Sequence, residues 1–150
     1  MSNVLTRHDW KDQCDIVEGF LEDYGYQVVY EKCAQDRVEF EEKRVYINSS
    51  CWPETKFYTL LHEYGHVEIY EVSRDEFSAD VPRYYTVQDG RVERSNAVKV
   101  SVLAEEIEAW KLGRRRARAE GLYVDEDKYN RHMTEALMSY IDWAAGVEGD

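Results

Sequence analysis

An α+β fold is the architecture this sequence predicts, and three observations carry the prediction. Apolar residues recur at helical spacing near the amino terminus; three short runs rich in Val, Tyr, Phe and Ile follow; helical spacing then returns after Pro53. The expected arrangement is a small antiparallel sheet packed against a helix, with further helices C-terminal to it. At 150 residues the chain fits one domain, residues 1–150, large enough to bury a real core.

From Asp9 onward, Trp10, Cys14, Val17, Leu21 and Tyr24 mark one helical face, and Gly25 supplies a stop. Residues 26–30, 37–41 and 44–48 read as the three strands. After Asn48-Ser49-Ser50, Pro53 suits the first turn of a helix whose apolar face is Phe57, Leu60, Leu61 and Tyr64. Residues 84–88 and 91–94 flank Asp89-Gly90, a dipeptide that favours a tight hairpin turn. Two more helices are expected over 100–119 and 125–145. The second carries Tyr129, Met133, Ala136, Leu137, Tyr140, Ile141 and Ala144 on one side.

The formal net charge of −12 argues against a chain that wraps nucleic acid, because backbone binding depends on Lys and Arg neutralising phosphates. No stretch has the apolar length to span a bilayer, and the first fifteen residues lack the apolar core of a signal peptide; a cytoplasmic location is expected. Cys14, Cys33 and Cys51 are odd in number and lack a C-x-x-C pair, so neither a disulfide framework nor a cysteine-rich metal site is suggested. Nothing in the sequence sets the oligomeric state.

The chemistry concentrates in His62-Glu63-Tyr64-Gly65-His66. Positions four apart on an α-helix differ by about 40° around the axis, so His62 and His66 can aim their imidazoles at one ion, with Glu63 beside it. A zinc ion with three protein ligands keeps a fourth position for water and lowers that water's pKa to about 7. Glu63 is then the general base that takes the water's proton and returns it to the leaving amine. Leu60 and Leu61 anchor the helix, and Gly65 is expected to leave room for substrate near the metal.

A third ligand is required. The extended pattern with Gly three and His six residues after the second His is absent, since Ile69 and Val72 stand there. Glu105, Glu106 and Glu108 are the candidates on the following helix. Leu103, Ile107, Trp110 and Ala117 define its apolar stripe, and Glu106 lies about 55° from the middle of that stripe. Glu105 and Glu108 lie roughly 145 to 155° away and are expected to face outward. A bordering carboxylate is costly to bury unless a cation compensates it, as a zinc ion between two neutral histidines would.

Val45-Tyr46-Ile47-Asn48, Leu60-Leu61-His62-Glu63-Tyr64-Gly65-His66 and Glu106-Ile107-Glu108-Ala109 together resemble the ImmA/IrrE-type gluzincin domain. The chain is also similar to small metallopeptidases encoded in bacteriophage genomes. The resemblance spans roughly residues 26–119 and implies a zincin-like fold. It implies zinc held by His62, His66 and Glu106, with Glu63 catalytic. The segment between the histidine motif and Glu106 is long for the family, and the run after Trp110 is basic instead of apolar.

The expected function is therefore zinc-dependent hydrolysis of a peptide bond in a specific protein substrate. The alternative is a zinc-stabilised, non-catalytic module that binds or regulates a protein partner. Arg114, Arg115, Arg116 and Arg118 read as a solvated helix end, where cations are favoured by the macrodipole. His132 and tyrosines including Tyr64, Tyr84, Tyr85 and Tyr129 are potential hydrogen-bond donors to a reacting carbonyl, and the sequence singles out none.

Overall fold

The structure, a computed structural model, describes residues 4–73 and 96–146. Helix α1 (Arg7–Asp23) starts at Thr6, whose hydroxyl accepts the Asp9 N–H while the Asp9 carboxylate accepts the Thr6 N–H, a reciprocal cap. Trp10, Cys14, Val17, Phe20 and Leu21 form its buried face. Gly25, at φ +87°, turns the chain out of the helix.

Strands β1 (Gln27–Glu31), β2 (Arg37–Glu39) and β3 (Arg44–Asn48) form one sheet in the order β1-β3-β2. The expectation of an antiparallel sheet is corrected here: β2 is antiparallel to β3, but β1 is parallel to it, with Val28 beside Val45 and Tyr30 beside Ile47. The connections decide this. After β1 the chain passes the end of β3, where Asn48 Oδ1 accepts the Cys33 N–H at 2.9 Å and Asp36 Oδ1 accepts the Asn48 N–H at 2.7 Å. It then returns as β2 along the far edge and turns back through Lys43, at φ +54°, into the centre. Val45 and Ile47 of the central strand are buried in the core.

Helix α2 (Pro53–Glu68) opens on Pro53, which has no N–H to leave unpaired in the first turn. Phe57, Tyr58, Leu60, Leu61, Tyr64 and Val67 are all buried, because α1 and the sheet cover one side and α3 (Asn96–Ala119) the other. A π-helical turn, Ile69–Ser73, prolongs α2, and Tyr70 stacks on Phe40 just after β2, with ring centroids 4.4 Å apart. The hairpin expected over 84–94 lies outside the described residues. Helix α3 starts four residues earlier than expected.

Helices α2 and α3 meet backbone to backbone. A methyl group at Gly65 would stand 1.9 Å from the Ala109 carbonyl oxygen, and one at Gly113 would stand 2.2 Å from that of Leu61. The space beside Gly65 is thus filled by α3, and the expectation that it admits substrate is corrected. Helix α4 (Glu126–Ala145) is capped by Asp125, which accepts the Lys128 N–H, and ends at Gly146 with φ +77°. Arg114 and Arg118 of the basic run pair with Glu126 at 3.5 and 2.6 Å, and buried Tyr129 donates to the Trp110 carbonyl. Much of the basic run therefore fastens α4 to α3. Among the described residues no helix is long and apolar enough to cross a membrane.

Candidate metal centre

His62 and His66, one turn apart on α2, bring their Nε2 atoms within 3.1 Å of each other. Glu106 reaches them from α3, with Oε2 2.7 Å from His62 Nε2 and Oε1 3.0 Å from His66 Nε2. The three side chains named from the sequence thus converge through atoms that bind metals, all within 4.8 Å of one another. Ligands about 2.0 to 2.1 Å from a tetrahedral zinc stand roughly 3.3 Å apart. The observed spacing is shorter by a few tenths of an ångström, so the donor set fits such an ion with a small outward movement.

Electrostatics point the same way. Burial raises the carboxyl of Glu106, which is only 6% exposed, but the charges and hydrogen bonds of His66 and His62 outweigh it and hold the group well below the usual carboxylate range. Burial lowers the His62 ring, yet hydrogen bonds to Glu106 and Glu63 leave it raised. His66 is likewise raised well above its ordinary value, because Glu106 and Glu105 outweigh its burial. The result is a buried carboxylate that demands positive charge from the two histidines, the demand a bound cation would meet.

Glu105 is also inside, contrary to expectation. It is 8% exposed, and its Oε2 lies 3.1 Å from His66 Nδ1. The inward face of α3 runs through Val98, Ser101, Glu105, Ala109 and Leu112, whereas Leu103 and Ile107 are only half-buried. Hydrophobicity pointed to the wrong side because close contact with α2 is set by the smallest residues, Ala109 and Gly113, and by the glycine facing them. The consequence is useful to the site. A proton on His66 Nδ1 donated to Glu105 leaves the Nε2 lone pair for a metal. Trp110, one turn beyond Glu106, lies flat on the His62 ring at 4.3 Å and 9°, which restricts that ring's rotation.

A cleft of about 650 Å³ opens over this group. Asp36, Val38 and Phe40 line one wall, Ser139, Tyr140 and Trp143 of α4 line the other, and His62, His66 and Glu63 reach it between them. Glu63 is 4% exposed, with Oε1 3.3 Å from His62 Nδ1. Burial raises the Asp36 carboxyl; its hydrogen bond from the Asn48 N–H opposes the rise and the charge of Glu63 adds to it. Two cleft residues had no distinguishing signal in the sequence. Asp36 sits in a strand-connecting loop, and Tyr140 falls on the apolar face of α4, where core packing was its expected role. Tyr129 packs in the core and His132 lies against Tyr58, so neither faces the cleft.

No protein-family model matches the chain, and neither the curated proteins nor the solved structures compared with it contain a match.

Proposed function

We propose that this chain is a zinc-dependent peptidase of the zincin-like, ImmA/IrrE type that the sequence resembles, acting on a specific protein substrate. One observation carries the reading: His62, His66 and Glu106 converge beneath an open cleft in which Glu63 is the adjacent carboxylate. His62, His66 and Glu106 would hold the ion, which when bound supplies Lewis-acid polarisation of a carbonyl and acidifies water. Glu63 accepts the proton of the attacking water and delivers it to the leaving amine nitrogen. Glu105 keeps His66 in one tautomer, and Trp110 keeps the His62 ring in one plane. Among the described residues β2 is one of the two outer strands of its sheet and the one that borders the cleft, which suits an extended peptide pairing along it.

The test has two stages. Elemental analysis of protein purified under metal-controlled conditions is expected to find about one zinc per chain; a chain that neither carries zinc nor takes it up sinks the reading. Glu63→Gln is then expected to retain zinc and lose hydrolysis of any protein the wild type cleaves, because the amide fills the same space without accepting a proton. Zinc retention without cleavage of any protein by the wild type favours the non-catalytic binding module.

A further inference from the structure

Asp36, Val38 and Phe40 stand just before, within and just after β2, and all three line the cleft over the metal centre. An extended chain turns alternate residues to the same face, so they form one row along the strand: an acid, an aliphatic residue and an aromatic one. Arg37 borders the cleft too, but its guanidinium is committed elsewhere. It lies 4.0 Å from the centroid of the Tyr46 ring and bonds Glu39 Oε1 and the Gln35 carbonyl, each at 3.2 Å. Tyr46 alternates with buried Val45 and Ile47, so this is the outward face of the sheet.

The Asp36 carboxylate is the opposite case. The Asn48 N–H fixes its Oδ1 at 2.7 Å, and the residue is exposed at the cleft. Among the described residues no hydrogen bond or ion pair engages Oδ2, so a carboxylate held in place by one oxygen keeps the other as an acceptor. Its surroundings are short of positive charge. Asp36, Glu63, Glu105 and Glu106 all line the cleft, and with the histidines neutral their four negative charges exceed the charge of a bound zinc ion by two. A cleft whose walls carry one sign of charge concentrates ligand groups of the other sign.

We propose that Asp36 is a specificity-determining residue of the cleft: it receives a protonated Lys or Arg side chain of the substrate, whose neighbours along β2 lie against Val38 and Phe40. The substrate class is thus a basic protein segment with apolar residues beside the cation. This rests on the zinc peptidase reading above.

Binding to the zinc-loaded protein is measured by isothermal titration calorimetry at low ionic strength, so that no turnover is needed. The probes are capped tripeptides with a zinc-chelating hydroxamate at one end or the other, carrying a single Lys or its uncharged analogue norleucine at each position in turn. At one position or more, wild type is expected to bind the Lys probe about tenfold more tightly, the scale of a charge-assisted hydrogen bond. Asp36→Asn keeps an oxygen for the Asn48 N–H and loses the charge. It is expected to bring the two probes within about twofold of each other, with the norleucine affinity and the melting temperature unchanged. Glu41→Gln, which removes an exposed carboxylate after β2 that does not line the cleft, is expected to keep the preference. Equal binding of the Lys and norleucine probes at every position by zinc-loaded wild type, or binding of neither, overturns the proposal; so does a preference that survives Asp36→Asn. Failure of the zinc reading is distinguishable, because the wild type would then take up no zinc before any probe is added.

Discussion

Gly65 and Ala109 touch through their backbones: a methyl group at position 65 would stand 1.9 Å from the Ala109 carbonyl oxygen. Glu106 is one turn from Ala109, so this contact sets how far the third ligand stands from the histidines. Gly65→Ala brings a gain in helix propensity of about 1 kcal/mol. Against it stands a clash with main chain, which cannot rotate aside, and overpacking of this kind costs about 1 to 3 kcal/mol or more. The variant is expected to be less stable in urea denaturation of the metal-free protein, and to bind zinc more weakly. A more stable Gly65→Ala protein would show that the two helices do not depend on this approach.

The three neighbouring carboxylates separate by role. Glu106→Gln is expected to lose most of the zinc affinity, since it removes the anionic ligand. Glu105→Gln is expected to lose about tenfold, because it weakens the orientation of His66 without touching the ion. Glu108, half-buried and away from the cluster, is expected to be neutral as Gln. Chelator competition across the three variants checks the order, and a loss at Glu108 larger than at Glu106 would refute it.

Trp110 does two things that can be pulled apart. It fills core space at 4% exposure, and it presents a flat face to His62. Its indole N–H is buried without a partner among the described residues, so replacing it with Phe forfeits no hydrogen bond seen there. Trp110→Phe is expected to keep zinc and lose at most about 2 kcal/mol of stability, whereas Trp110→Ala is expected to lose about 3 to 5 kcal/mol through the cavity it leaves. Thermal and chemical unfolding of both variants measures this; equal losses would mean that the flat ring contributes nothing of its own.

The elements were legible where a period of 3.6 or a helix-starting proline announced them, as at Trp10 to Leu21, at Pro53 and at Tyr129 to Ala144. The histidine pair was legible because its spacing is local. Strand order was not, since Val28, Val38 and Val45 look alike in sequence and the loop contacts of Asp36 and Asn48 decide which strand lies in the middle. The inward side of α3 was misread for a related reason: Ala109 and Gly113 attract a neighbouring backbone by being small, which a search for apolar side chains does not register. Tyr140 was hidden because an aromatic residue on an apolar helix face looks the same whether it packs in the core or lines a cleft.

Zinc binding should also carry a distinctive pH dependence. In the metal-free protein His62 and His66 are raised above their ordinary value of 6.5. The stability they contribute is complete below pH 6.5 and is lost as pH rises through their raised folded-state values. Glu106 is held below its ordinary value of 4.5, so its contribution is present above pH 4.5 and is lost as pH falls through the lowered value. The metal-free cluster therefore stabilises the fold most between about pH 4.5 and 6.5. Zinc needs both imidazoles neutral, and its binding must displace the protons that hold the empty cluster together. The gap in melting temperature between zinc-loaded and metal-free protein is thus expected to widen as pH rises from about 5.5 to 8. Taking the gap cancels titrating groups elsewhere in the chain, which both forms share. A gap that stays flat or narrows over that range would mean that the metal does not compete with protons at His62 and His66.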